Sequence, residues 1–366
     1  MWLRSSGRQR LARAGRDVTT NEAALLILTG LLLLLAGFGT AKFLLNFDQL
    51  QRLAEEFKPA ARLQVKPFET ESGDKTNVAP PAEARVAFDQ AQLAPWLVPL
   101  NRYREMVGLP PLTADAELSR GDLLHSHYLV INYGFQLPGL DLGADAHTED
   151  PAKPGFTGEG AAAAAASDID WSWSPRSRRQ PAWAIDDWMQ GPFHRMQIIN
   201  PYLHTVGYGS DCHGAACFAA LNTGSFRAPS TPQLWSRPVA FPPDGSVIHM
   251  ATSSSEWPNP LTGCHGYVLP AGLPITLELG HLLVPELTSF SLKKGDGADP
   301  VEACAYNAAT YVNPDAVAQN AARAVLKDFG AIVLVPRYPL QPGRYVVSIT
   351  AGRTYSWSFS LSPAGE

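Results

Sequence analysis

Gly191-Pro192-Phe193-His194-Arg195 and, upstream of it, Ala146-His147-Thr148-Glu149-Asp150 set two histidines in distinctive contexts. They mark the centre of a stretch running from Trp96 to about Ser225, around which the rest of the chain is organised. Between them lies Gly158-Glu159-Gly160, and Ala184-Ile185-Asp186-Asp187-Trp188 leads into the second histidine. Leu97, Leu100, Tyr103, Arg104 and Val107 keep helical spacing until Gly108-Leu109-Pro110-Pro111 stops the helix. Asp115 caps a second helix that ends at Asn132-Tyr133-Gly134. His125 and His127 are two apart on it, so they cannot share a face, and each reads as a hydrogen-bonded structural histidine. Ala161 to Ala166 predicts a short helix, because alanine has the best helix propensity. Pro181 to Met189 predicts another, and Ser172 to Gln180 an exposed loop. Thr205-Val206-Gly207-Tyr208-Gly209 and Ala216 to Leu221 read as the strands of a hairpin.

Upstream, Arg4, Arg8, Arg10, Arg13 and Arg16 precede an uncharged run from Ala23 to Ala41. That run is roughly long enough to cross a ~30 Å hydrocarbon core. The flanking charges predict the N-terminus inside and the bulk of the chain outside. A membrane anchor is the expected reading. A cleavable signal peptide stays open beside it, since Gly39-Thr40-Ala41 resembles a small-residue cleavage site. Asn46 to Phe57 is a short amphipathic stretch (Phe47, Leu50, Leu53, Phe57) that can continue the helix. Residues 58–86 lose periodicity through Lys-Pro and Pro-Pro steps, and 46–90 as a whole reads as a juxtamembrane spacer. The expected organisation is therefore 1–45 tail and transmembrane helix, 46–90 spacer, 91–228 first domain and 229–366 second domain.

Downstream, Val247 to Met250, Ile275 to Leu279, Ala331 to Val335, Tyr345 to Ile349 and Tyr355 to Phe359 are strand-like and separated by turn clusters. They predict an all-β, Ig-like sandwich. Four cysteines allow three connectivities. Cys212 with Cys217 and Cys264 with Cys304 is the pairing that respects the boundary, and an extracytoplasmic compartment permits it.

With 34 acidic against 29 basic residues the net charge is -5, which offers nucleic acid no attraction and excludes it as a partner. Two imidazoles backed by carboxylates suit a divalent cation such as zinc or general acid–base chemistry. There is no Gly-x-Ser-x-Gly elbow and no His-Glu-x-x-His helix. A hydrolase would need a nucleophile such as Ser167 or Ser210 within reach of a histidine.

Leu100-Asn101-Arg102-Tyr103-Arg104, Gly108-Leu109-Pro110-Pro111-Leu112, His127-Tyr128-Leu129, His147, Gly158-Glu159, Trp188, Pro192-Phe193-His194-Arg195 and Val206-Gly207-Tyr208-Gly209 stand in an order that resembles the CAP superfamily. That superfamily groups cysteine-rich secretory, antigen 5 and pathogenesis-related 1 proteins with bacterial extracytoplasmic members. The resemblance implies an α+β chain in which an α–β–α sandwich carries a cleft with two histidines and two acids. His147 and His194 look like the histidines, and with them the candidate zinc ligands, no cofactor being required. Glu159 looks like the first acid, although Gly160 stands where the family has Asn. The family's Trp-x-x-Glu pattern is not kept after Trp188, so Asp187 or Asp186 is the substitute for the second acid. The implied activity is binding of a lipid or sterol-like molecule, an envelope component or a protein, the last with the β-sandwich as its contact. A metal-assisted hydrolase and a structural surface protein with a vestigial cleft are the alternatives.

Overall fold

The computed structural model describes residues 95–135, 141–174, 183–295 and 299–363. The expected transmembrane run, spacer and arginine-bearing loop at 176–179 lie outside these residues. Among the described residues, no helix is long and apolar enough to cross a membrane.

Helix α1 spans Leu97–Met106 and α2 spans Ala116–Tyr133. The predicted cap is in place: Asp115 Oδ1 accepts from the backbone N–H of Glu117 and Leu118, both at 2.9 Å. Helix α3 (Gly158–Ala164) is capped by Thr157, and α4 (Trp183–Gln190) is followed after one glycine by α5 (Pro192–Ile198). Four strands, β1 (Thr113–Ala114), β2 (Ser167–Ser172), β3 (Thr205–His213) and β4 (Ala216–Asn222), form a sheet in the order β1-β3-β4-β2. All pairs are antiparallel except β1 with β3. Alternation along β4 divides its side chains between two layers. Phe218 and Ala220 join Tyr128 and Leu129 of α2, whereas Cys217, Ala219 and Leu221 join Ile185 and Trp188 of α4. The expected α–β–α sandwich is present.

Two quoted motifs owe their residues to packing. A Cβ on Gly209 would meet the α2 backbone at Asp122 and Leu123, and one on Gly207 would meet it at Leu118 and Ser119. Only glycine lets helix and strand approach so closely. Arg104 is buried and donates to the carbonyls of Pro110, Ile198, Asn200 and Leu203 at 2.8–3.1 Å, tying α1 to the segment after α5. Asn101 brackets Leu112 with two hydrogen bonds.

The second half contains β5 (Gln233–Phe241), β6 (Val247–Ile248), β7 (Ile275–His281), β8 (Ser289–Lys294), β9 (Asp299–Pro300) and β10 (Ala303–Asn307). Helix α6 (Ala316–Asp328) follows, then β11 (Ala331–Pro336), β12 (Gly343–Ala351) and β13 (Arg353–Leu361). One sheet runs β10-β11-β7-β5 and the other β6-β13-β12-β8-β9. Leu277, Leu279, Ile332 and Leu334 of the first share a core with Val347, Ile349, Trp357 and Phe359 of the second, so two sheets face each other.

The all-β expectation is corrected by α6. Every residue of β7 and of β11 is buried, so the first sheet needs a cover on its other face as well. Ala318, Ala322 and Leu326, four apart, give α6 the apolar stripe that provides it. Both expected disulfides form, Cys212–Cys217 across the β3–β4 hairpin and Cys264–Cys304 in the second half.

The two halves are not independently cored. A single cluster runs from Trp96, Leu100 and Ile198 through Val239, Phe241 and Leu273 to Phe359. Arg195 of α5 is fully buried in this joint. It donates to Met189 O at 2.8 Å in the first half and to Pro274 O at 2.6 Å in the second, and lies over the Phe241 ring.

Candidate functional site

A cleft of about 500 Å³ opens where the two halves meet. Its first wall carries His147, from a 3-10 turn at Gly143–His147, with Asp170 and Trp171 of β2, Asp187 and Trp188 of α4, and His194 of α5. Its second wall comes from the downstream half: Ser254, Ser255, Glu256, Trp257, Asn259 and Thr262, with Asn313, Asp315 and Ala318 at the start of α6. Both histidines and Asp187 therefore line one cleft. Asp186 does not line it; its carboxylate accepts a 2.7 Å hydrogen bond from Tyr103 Oη.

His194 is held by a residue from the other half. Its Nδ1 lies 3.0 Å from Glu256 Oε2, and the Glu256 side chain is 1% exposed. Burial alone would lower the affinity of His194 for its proton. The hydrogen bond and charge of Glu256, helped by Asp168 and Asp170, outweigh it and lift the ring to about 9. His147 goes the other way, to about 4, through burial first and then the positive ring of His194. Its Nδ1 lies 3.3 Å from Ala164 O. The cleft thus holds one charged and one neutral imidazole at neutral pH.

The neighbouring carboxyls are also displaced. Burial lifts Asp168 to about 7 and pushes Asp170 well above the usual carboxylate range, the latter with help from Asp187. Asp187 rises to about 6, by burial and then by Asp186. One oxygen each of Asp168 and Asp170, and the Trp188 indole N–H, are buried without a hydrogen-bond partner.

Residues 97–222 match the family described as CAP, the cysteine-rich secretory protein family. The chain carries a CAP domain. No curated protein matches the chain. Among solved structures, an extracellular SCP-domain protein from Bacillus anthracis is 16% identical over 34% of this chain and 37% of that one, with a TM-score of 0.24. PcoC, a methionine-rich copper resistance protein from Escherichia coli, is 18% identical over 36% of this chain and 100% of that one, at 0.19. CopC from Methylosinus trichosporium OB3b is 14% identical over 37% of this chain and 98% of that one, at 0.20. TM-scores this low establish no shared fold.

The CAP domain does not bring Glu159 into its cleft. Glu159 lines a different groove, at the start of α3, paired with Arg120 at 2.8 Å and 36% exposed. The buried acid nearby is Glu149, which reaches His125 Nδ1 at 3.0 Å and accepts from Thr157 N at 3.1 Å. This explains Gly160: a Cβ there would run into the Glu149 carboxylate. His125 is structural, as expected, and His127 sits at the surface beside Asp211.

Sequence reading missed Asp168, Asp170 and Glu256. The first two were accessible through the alternation Ser167-Asp168-Ile169-Asp170, which puts both carboxyls on one strand face. Glu256 lies 62 positions beyond His194, in a loop with no local signal.

Among the described residues, no group of three or more histidine, cysteine or acidic side chains is placed to hold a metal ion. Zinc requires three or four ligands, and a protonated His194 with Nδ1 committed to Glu256 is a poor one. The zinc expectation finds no support in this geometry. Ser167 meets His147 through its backbone, while its hydroxyl lies 2.7 Å from both Asp122 Oδ1 and Ala163 O; the Ser210 side chain is hydrogen-bonded to Tyr208.

Proposed function

We propose that this chain is an extracytoplasmic binding protein whose ligand occupies the cleft between its CAP domain and its downstream sheets. The ligand is polar and hydroxyl-rich, a saccharide unit of a cell envelope being the class that fits. The observation that carries this is the lining: Trp171 and Trp257 supply aromatic surface, the Asp187 carboxylate supplies an acceptor and the Asn259 amide NH2 supplies donors. Indole faces with carboxylate and amide partners suit a ring that is apolar on its faces and hydroxylated at its rim. A lipid or sterol would desolvate the Asp187 carboxylate and the Asn259 amide NH2 without giving them partners, which costs on the order of 1–3 kcal/mol each. The two disulfides support the compartment, and the uncharged run at Ala23 to Ala41 would supply a membrane tether. The convergence of polar groups on one cleft does not favour the vestigial reading.

A hydrolytic reading has one observation in its favour. Asp187, raised to about 6, sits in the cleft with Asp170, and a carboxyl so placed serves as a general acid near neutral pH. Calorimetry of the full chain against soluble envelope oligosaccharides tests both. Saturable binding that Trp257→Ala abolishes supports the proposal, and release of shortened saccharide supports hydrolysis. Binding of lipid vesicles or sterol in the absence of any saccharide binding overturns it.

A further inference from the structure

We propose that Glu256, contributed from outside the CAP domain, is the positioning residue for His194: it holds the ring by Nδ1 and so presents Nε2 to the cleft as a donor for a ligand oxygen. The ligand part of this rests on the function proposed above; the ring's orientation does not.

The geometry is that of a single carboxylate serving three donors. Oε2 takes both His194 Nδ1 at 3.0 Å and the His194 backbone N–H at 3.1 Å, while Oε1 takes the Phe193 N–H at 3.2 Å. The local sequence prepares the place. Pro192 at the first helical position has no N–H to offer, so the next two backbone donors of α5 are the ones Glu256 satisfies. Gly191 leaves the space, because a Cβ there would overlap the Glu256 carboxyl group. Backbone and ring are thus gripped together, and the ring cannot turn without losing its bond to the same oxygen that holds its own main chain.

The charged and titratable groups facing this ring are Asp168 and Asp170 from β2, His147 from the 3-10 turn and Glu256 itself. Among these, Glu256 is the one whose side chain bonds to it, at 3.0 Å. The neighbouring Trp257 ring lies 6.1 Å from that of His147, so the loop that positions one histidine also covers the other. A saccharide hydroxyl or carboxylate oxygen entering the cleft would meet Nε2–H.

The test is a ring measurement that needs no ligand, so its failure and the failure of the proposed function are distinguishable. The full chain is labelled with nitrogen-15 at histidine, and the His194 ring is observed at pH 7 in the parent and in Glu256→Gln. Glutamine keeps one acceptor oxygen, enough for the Phe193 or the His194 N–H but not both, and removes the negative charge beside Nδ1; a purely capping role still predicts no change in the ring. Positioning predicts a parent ring protonated at both nitrogens, with an exchange-protected Nδ1 proton. In Glu256→Gln that proton is lost and the protonated fraction falls at least tenfold. An identical ring state in the two proteins overturns the proposal. Should Glu256→Gln fail to fold, the parent decides alone: a ring lacking the protected Nδ1 proton overturns the proposal, and its presence with Gly191→Ala abolishing it supports it.

Discussion

Replacing Arg195 by Met tests how the two halves are joined. The guanidinium is fully buried and donates to Met189 O and Pro274 O, one carbonyl from each side of the joint. Methionine keeps much of the stem's bulk but leaves both carbonyls without these donors. Hydrogen bonds to charged groups contribute about 1.5–3 kcal/mol each. The contact with the Phe241 ring adds on the order of 1 kcal/mol. Against these stands the relief of a desolvated charge, visible in the lowering of Arg195 to about 10 by burial. The net loss should be about 3–5 kcal/mol, the two lost hydrogen bonds and the ring contact less the relieved desolvation. For a domain of this size that is a fall in Tm on the order of 10 °C. Guanidinium unfolding followed by tryptophan fluorescence gives the number, with Arg353→Met as the control, an exposed arginine that also lies over an aromatic ring (Tyr355) and is expected within about 1 kcal/mol of the parent. A loss for Arg195→Met no larger than for the control would refute the idea that this side chain secures the joint.

Three further outcomes are expected. Neutral His147, with its folded value near 4 against an ordinary 6.5, adds stability that is complete above pH 6.5 and is lost as pH falls through 4. The contribution is at most about 3 kcal/mol, and comparing the pH dependence of unfolding in the parent and His147→Gln isolates it. Gly160→Asn restores the family's residue but collides with Glu149, so it should destabilise by about 1–3 kcal/mol in thermal melts and release the His125 ring in histidine NMR. Gly209→Ala drives a methyl into the α2 backbone and should cost several-fold in soluble folded yield, whereas Gly214→Ala at the open hairpin turn, despite its positive φ, should cost about 1 kcal/mol or a little more.

The parts of this molecule legible in the sequence were those fixed by local chemistry. Asp115 announces α2 and the cysteine spacings respect the division of the chain, whereas the close approach at Gly207 and Gly209 emerged only with α2 packed against β3. Helix α6 was hidden because its stripe is mostly alanine, which looks weakly apolar until a two-faced sheet is there to need it. The site was half legible. His147 and His194 converge, but the acid expected at Glu159 is paired with Arg120 in a separate groove against α2. The carboxylate that does meet His194 comes from across the joint, and a contact between residues 62 positions apart leaves no trace in spacing or periodicity.

The joint also has a mechanical meaning. Helix α5 is gripped at one end by Glu256 and anchored along its length by Arg195, both bonded across the two halves. Pulling the downstream sheets away from the CAP domain would have to extract two buried charged side chains and tear a continuous apolar core at once. Under load the pair should rupture in a single event, with no intermediate in which one half hangs intact beside the other.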